Sequence, residues 1–512
     1  MSSKAKPAIG FDFGTSTTLI ANPRGVVHIG TDTEASWIPS IVGYGDDGSI
    51  VAGDAARDLP QDQMIRSIKR CITDDRVFVR LDTPTGIRDI RADDLMVAIL
   101  REAIQRAKAS GQDMTDESAI RIGCPAMWNG KQRRRLEAVA RQAGLPVSLA
   151  NFVDEPVAAG IAWVVKHEVD ATMPLRVLVF DMGGGTLDIA VLDVRGASHY
   201  DVSVLAAVGA AEAGDALDDA LTADLELQLA VAGYDIQAAS NSRQARDRLR
   251  DSARAVKIDL TNYAQIDVAL SKRIYGIATI PYSREQLNEV FAEQIDRAEF
   301  YIAAALRAAR LAEPGAVSAH ELLRTPINKL VENVDVVVLS GGMSQIPYVT
   351  ERMRELFPAA TRIEMATTPS EDAVAIGLAN ATRFGRISMY RPAFDILLEW
   401  DHGQEFRVVY DAFTPLVQPG QIAQGTSDLR YVVNGLDLML PRKGTGRLRV
   451  VSQSGQRIHA SIGGADLNGF QVMLSEQKFE FSIYPSGRIR MTDGGGTYDG
   501  QVDAWHFTDA IL

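Results

Sequence analysis

Residues 9–20 read Ile-Gly-Phe-Asp-Phe-Gly-Thr-Ser-Thr-Thr-Leu-Ile, and residues 178–189 read Leu-Val-Phe-Asp-Met-Gly-Gly-Gly-Thr-Leu-Asp-Ile. Both stretches follow one plan: an apolar strand, Asp-x-Gly, a run of small and hydroxyl residues, then a second apolar strand. Each predicts a β-hairpin that turns at glycine, where the backbone can approach a ligand with no Cβ in the way. Successive N–H groups in such a turn form a concave donor surface for phosphate oxygens. Gly14, Gly183, Gly184 and Gly185 supply the turns, and Thr15, Ser16 and Thr186 add hydroxyls. Asp12 and Asp181 stand at the strand ends, where a carboxylate can hold a divalent cation directly or through its waters. Magnesium needs only one or two carboxylates beside substrate phosphates. One hairpin of this kind is equally a plain tight turn. Two, with acidic residues in matching positions, predict opposed grips on one polyphosphate. Neither stretch is a Walker A loop or a G-x-G-x-x-G fingerprint.

A third glycine pair follows a third apolar strand, in Val336-Val337-Val338-Leu339-Ser340-Gly341-Gly342-Met343-Ser344-Gln345. A helical pattern over 348–356 comes next. A bend at Gly341 and Gly342 would admit a flat base or sugar against the backbone. Taken singly it reads more readily as a structural turn.

Working outward, strands and helices alternate to about residue 390. Strands are expected over 8–13, 120–124, 176–180, 187–191 and 334–339. Helices are expected over 132–143 and 155–165, and Leu95, Ile99, Ala103 and Ala107 mark one apolar stripe of another. This alternation predicts sheets covered by helices. After residue 391 the character changes: 15 of the 42 glycines fall there, and long helical patterns stop. Phe479, Phe481 and Ile483 alternate with polar residues, turn at Pro485-Ser486-Gly487, and resume at Ile489 and Met491, a hairpin pattern. A second hairpin is expected over 447–462, turning at Ser454-Gly455. The reading is therefore an α/β domain over 1–390 and a mostly β domain over 391–512.

Composition limits the function. The 512 residues are 46% hydrophobic and 23% charged, the mix of a folded globular chain long enough for about three domains. A net charge of −13 disfavours sequence-independent nucleic-acid binding, which depends on neutralising phosphates, and disfavours a basic membrane-surface protein. Cys71 and Cys124 make no disulfide framework or metal-type spacing. No run approaches the ~20 apolar residues of a membrane span, and the first residues lack a signal-peptide core. A cytoplasmic location is the expectation.

At these residues the sequence resembles the seventy-kilodalton heat-shock chaperone family, within the actin and sugar-kinase ATPase superfamily. The resemblance runs through 8–385 in matching order. Besides the three glycine segments it includes Ile68-Lys69-Arg70, Ile122-Gly123-Cys124-Pro125-Ala126-Met127-Trp128, and Asn151-Phe152-Val153-Asp154-Glu155-Pro156-Val157-Ala158-Ala159-Gly160. It implies a two-lobed actin-like ATPase domain with duplicated mixed-sheet lobes, followed by a small sandwich-like β domain. ATP or ADP and Mg²⁺ would sit in the cleft. Asp12 and Asp181 would hold the metal through waters. Gly14, Thr15, Ser16 and 183–186 would cradle phosphate. Lys69 would meet the γ-phosphate and the attacking water, Glu155 would orient that water, and Asp188 and Thr186 would assist. Gly214, Lys257, Thr261, Gly341, Gly342 and Gln345 would take the nucleoside, and Pro125 and Arg133 would relay nucleotide state to the β domain. Client proteins and co-chaperones would be the partners.

Several residues keep a plainer reading. Lys69, beside Arg66 and Arg70, reads more readily, taken singly, as one more solvated helix cation. Glu155 before Pro156 is equally an acid at a helix N-terminus. Asp188 is equally a polar residue on a half-exposed strand, and Lys131, Arg133, Arg134 and Arg135 a solvated helix face. The sequence also departs from the family. Arg254 stands where an acid would hold ribose, Gln345 replaces an arginine that packs on the base, and Ala213-Gly214-Asp215-Ala216 replaces Gly-Gly-Glu-Asp. Residues 394–398 resemble the family's apolar interdomain linker, and 479–491 a strand pair of its substrate domain. The helical lid that normally follows is not expected before Leu512. The expected function is slow ATP hydrolysis coupled to a peptide-binding β domain. The alternatives are a nucleotide-gated scaffold of the same fold and, ranked last, a small-molecule kinase.

Overall fold

The computed structural model describes residues 8–31, 36–167, 171–196, 201–238, 241–311, 319–388, 391–416, 430–453, 458–502 and 507–509. Two sheets carry the first three quarters of the chain, and each is built around one of the repeated hairpins. In the first lobe, strands Ile9–Phe13 and Thr17–Asn22 pair antiparallel, with Asp12 opposite Leu19. Strand Ile120–Cys124 joins Ile9–Phe13 in parallel, and Phe152–Asp154 joins Ile120–Cys124 in parallel. The second lobe repeats this order. Ala171–Met182 and Leu187–Gly196 form the hairpin with Asp181 opposite Asp188. Val336–Ser340 then pairs in parallel with Ala171–Met182, and Arg362–Met365 with Val336–Ser340. The mixed sheets and the duplication expected from the two acidic glycine stretches are thus both present.

Both central strands are apolar on each face, because helices cover the sheets on both sides. The helix expected around Leu95 runs Ala92–Ala109 and buries Leu95, Ile99, Ala103 and Ala107. Helix Gly130–Ala143 opens with a capping box, in which Asn129 accepts from the N–H of Gln132 and the Gln132 side chain accepts from the N–H of Asn129. Helices Glu155–His167 and Ala373–Asn380 are buried on most of their surface and cross between the two sheets. They touch backbone to backbone: a Cβ on Gly377 would overlap the carbonyl of Ala158, and one on Gly10 would overlap the carbonyl of Ala375. Glycine is required at both crossings by space alone. Among the described residues no helix is long and apolar enough to cross a membrane.

The region after 391 is rich in antiparallel strands. One sheet runs Glu405–Tyr410, Phe394–Trp400, Thr445–Ser452, Gln471–Met473; the other contains Tyr431–Asn434, Glu480–Ile483, Arg488–Thr492, Thr497–Val502 and Ala460–Ile462. Phe394, Ile396, Leu398, Phe481, Ile483, Ile489 and Met491 share one core between them. The hairpin expected at 479–491 forms, with Phe481 opposite Met491 and Ile483 opposite Ile489. The second expected hairpin does not. Thr445–Ser452 pairs with Phe394–Trp400 and Gln471–Met473, while Ala460–Ile462 pairs with Thr497–Val502 in the other sheet. Alternation gives the face of each strand but not its partner, and here the chain changes sheets between the two. The Ser454-Gly455 turn itself lies outside the described residues. Residues 394–398 are likewise no linker: Phe394, Ile396 and Leu398 are fully buried in a central strand.

Candidate functional site

The two acidic hairpins meet. A Cβ on Gly185 would lie 2.7 Å from Thr15 Oγ1, and one on Gly184 would overlap Ser16 Oγ, so the second turn packs flat against the first. Between them opens a cavity of about 540 Å³. Its lining includes Asp12, Gly14, Thr15, Ser16, Glu155, Asp181, Gly183, Gly184, Thr186, Gly214, Lys257, Thr261, Gly341, Gly342 and Gln345. Segments far apart in sequence thus converge on one concave space.

Lys69, Gly185 and Asp188 stand just behind this wall. Lys69 is fully buried and ion-paired with Glu155, with its ammonium 5.5 Å from the centre of the Trp128 ring. Burial opposes its charge, but Glu155 and Asp12 outweigh burial and raise its pKa. It precedes a short helix, Arg70–Thr73. The solvated-cation reading therefore fails: a lysine is buried only where carboxylates hold it. Glu155 is indeed the first residue of helix Glu155–His167, as its place before Pro156 suggests, and it is also the partner of Lys69. Asp188 is 1% exposed, not half-exposed. Its Oδ1 accepts from the N–H of Ala126 at 2.6 Å, which ties it to the turn after Pro125.

The carboxylates are crowded. Burial, then the charge of Glu155, pushes Asp12 up to about 7 against the pull of Lys69. Asp188 is likewise pushed up to about 7, by burial and then Glu155, against its bond from Thr186 and the N–H of Ala126. Asp181 is raised well above the usual carboxylate range by burial, with Glu155, Asp188 and Asp12 adding to it. Four buried acids, Asp12, Glu155, Asp181 and Asp188, stand around one buried lysine, a donor set with excess negative charge that suits a divalent cation. Among the described residues no three acidic, imidazole or thiol side chains converge closely enough to hold a metal ion directly.

At the far end the departures from the family acquire partners. Lys257 Nζ lies 2.6 Å from Asp218 Oδ1, and Arg254 Nε lies 2.9 Å from Asp218 Oδ2. Asp218 is 1% exposed and lines the cavity. Sequence reasoning missed it. The signal lay in its spacing: Asp215 and Asp218 are three apart on helix Gly214–Val231 and so share a face. Gln345 Nε2 donates to Ser370 Oγ at 3.0 Å and to Glu371 Oε2 at 2.8 Å. Ser370 and Glu371 were missed too, since nothing in their local sequence marks them. Gly341 has φ +82°, and a Cβ there would overlap the carbonyl of Met182, so the bend packs onto the second hairpin.

The basic run at 131–135 is mostly not a solvated face. Arg133 is 2% exposed, ion-paired with Asp154, and stacked 5.0 Å from the Phe413 ring centre. Arg135 pairs with Asp93 at 2.8 Å. Arg134 lies between two carboxylates of the β-rich region, Asp395 at 3.4 Å and Asp411. Only Lys131 keeps to the surface, on Asp75. Arg391 stands 3.6 Å from Asp154 and donates to the carbonyl of Ala207 at 3.0 Å. Pro125 stands outside the cavity, in the turn between Asp188 and this cluster.

Two lobes with one strand order, whose acidic glycine hairpins close on a common cavity, define an actin-like ATPase fold. The chain belongs to the Hsp70 family: the family model described as "Hsp70 protein" matches residues 8–384. It is 29% identical over 398 residues to the chaperone protein DnaK of Thermotoga neapolitana, an alignment covering 74% of this chain and 59% of that one. It is 28% identical over 404 residues to the chaperone protein dnaK3 of Thermosynechococcus vestitus, covering 72% and 54%. It is 26% identical over 410 residues to the stromal 70 kDa heat shock-related protein of Pisum sativum, a chloroplast protein, covering 73% and 52%. The chain matches between half and three fifths of the length of these curated relatives.

Proposed function

We propose that the chain binds ATP or ADP with Mg²⁺ in this cleft, hydrolyses ATP slowly, and couples nucleotide state to its β-rich region as a chaperone acting on client proteins. The observation that carries the reading is the buried Lys69–Glu155 pair, whose Glu155 lines the same cavity as Asp12 and Asp181. Hydrolysis of a phosphoanhydride needs positioning and charge neutralisation more than covalent chemistry. Gly14, Thr15, Ser16 and the turn at 183–186 offer N–H and hydroxyl donors to the phosphates. Glu155 would orient the attacking water, Lys69 would stabilise negative charge on the γ-phosphate, and Asp188 would assist while its bond from the N–H of Ala126 ties it to the turn after Pro125. A metal ion held through water by Asp12 and Asp181 would supply further charge neutralisation. Gly214, Lys257, Thr261, Gly341, Gly342 and Gln345 would receive the nucleoside.

We place the division between the nucleotide-binding and β-rich domains near residue 390. The contacts of Arg133 and Arg134 support coupling across it. A second reading, a nucleotide-gated scaffold with little turnover, is favoured by one observation: Gln345 and Arg254 are already engaged by Glu371 and Asp218.

The test is ATP hydrolysis with and without Mg²⁺, alongside calorimetric binding, in the wild type, Lys69→Ala and Glu155→Ala. Loss of turnover of about 10² or more in both variants, with binding largely kept, is expected. Equal rates in all three would remove the assigned roles. Tight binding without turnover in the wild type would favour the scaffold.

A further inference from the structure

We propose that Asp215 is a positioning residue that makes the placement of Lys69 depend on closure of the cleft. The inference rests on reading the cleft as a hydrolytic nucleotide site, and it concerns a residue at the border of that cavity whose carboxylate is engaged by the other lobe. Asp215 is buried, the second residue of helix Gly214–Val231. The start of that helix is fastened to the second hairpin: the N–H of Gly214 donates to the carbonyl of Gly183 at 3.1 Å, and that of Asp215 to the carbonyl of Gly184 at 2.6 Å. The carboxylate of Asp215 faces the other lobe. Ser67 Oγ donates to its Oδ1 at 3.3 Å, and Arg70 Nη1 to its Oδ2 at 3.5 Å.

Ser67 and Arg70 bracket Lys69. The N–H of Arg70 donates to the carbonyl of Ser67 at 3.0 Å, closing a turn with Lys69 inside it. Ser67 carries φ +57°, the left-handed region that serine enters only at a cost. Such a conformation persists where its surroundings over-determine it, and Asp215 is what holds this turn from across the cleft. Arg254 Nη2 stands 3.8 Å from the same carboxylate, and Asp215 and Arg254 both line a second groove, of about 740 Å³, at the mouth of the cleft. One side chain therefore links the phosphate turn of one lobe to the lysine turn of the other. If the second hairpin moves away, the hold on the Ser67 turn goes with it, and Lys69 loses its fixed bearing on Glu155.

A favourable acid at a helix N-terminus would explain Asp215 by itself, but its loss would then lower thermal stability without a selective effect on turnover. The experiment uses the full chain as wild type, Asp215→Asn, Arg70→Gln and the double variant. It measures steady-state kcat and KM for Mg-ATP and the dissociation rate of a fluorescent ATP analogue. Asp215→Asn should lower kcat about tenfold while KM changes less than about threefold, the pattern of an interaction used in the transition state. Analogue dissociation should quicken several-fold. The double variant should be no worse than the worse single, as for two ends of one contact. Wild-type kcat and dissociation in Asp215→Asn, or fully additive losses, would overturn the proposal while leaving the ATPase reading intact. A wild type that neither binds nor hydrolyses ATP would overturn both. Should Asp215→Asn fail to fold, Ser67→Gly carries the same test. Glycine relieves the left-handed backbone and removes the hydroxyl, so kcat should fall with no drop in melting temperature; an unchanged kcat would sink the idea.

Discussion

Asp12 and Asp188 hold their protons to about pH 7, because burial and the charge of Glu155 disfavour their ionised forms. An unfolded chain releases these protons near pH 4. Between those values the folded chain therefore carries more protons than the unfolded one, and stability falls as pH rises. The ligand-free protein should melt higher at pH 5.5 than at pH 8, by about 2 °C or more. Asp188→Asn should flatten that slope, which differential scanning calorimetry across the range would show. A melting temperature that climbs steadily from pH 5.5 to 8 would contradict the assignment. Adding Mg-ATP at pH 7 should release protons, because a bound cation favours the ionised carboxylates. Asp12 and Asp181 were legible in the sequence, since Asp-x-Gly occurs twice with the same surroundings, whereas Asp188 carries no such mark and its burial shows only in the fold. Their partner was less so: nothing local to Lys69 distinguishes it from Arg66 or Arg70, and only its burial against Glu155, 86 positions away, does.

At the scale of elements, helices Glu155–His167 and Ala373–Asn380 cross at Gly377 with no room for a side chain. Gly377→Ala must push the helices apart or strain the backbone, a change costing about 1–3 kcal/mol where a core is overpacked. Its melting temperature should drop by several degrees, whereas Gly233→Ala, a glycine with φ +93° and open space around it, measures backbone strain alone. Equal losses in the two would mean the crossing is not tight. The strands and helices of the two lobes were readable because buried strands are continuous apolar runs and the helices carry clear stripes. Strand partners in the β-rich region were not. Period-two alternation in Arg447, Leu448, Arg449 and Val450 fixes which side faces the core, and nothing in it says that Thr445–Ser452 and Ala460–Ile462 enter different sheets. The same limit applies to Phe394, Ile396 and Leu398, whose apolar run fits a linker as well as a buried strand until the core of Phe481 and Ile489 is seen around it.

For the whole molecule, Arg134 is the side chain that joins the α/β part to two carboxylates of the β-rich part. Asp411 is raised by burial even with Arg134 beside it, so removing the guanidinium leaves a half-buried acid without its partner. Arg134→Ala should weaken the docking of the two parts by about 2 kcal/mol, the scale of a hydrogen bond to a charged group. Limited proteolysis near 389–391 should speed up in that variant while the rate of ATP hydrolysis in the absence of client holds. Unchanged cleavage would mean the contact adds nothing to docking. In sequence this arginine was one cation in a basic run; its role depends on two aspartates more than 260 positions further along, a distance no local pattern spans.

The tight seat of Gly377 on Ala158 has one more effect. Two plates riveted at one spot can only swing, like the blades of shears, and the tips travel farthest. Spin labels at positions 62 and 250, on opposite lips of the outer groove, should therefore report a larger change between nucleotide-free and nucleotide-filled protein than labels set near the rivet.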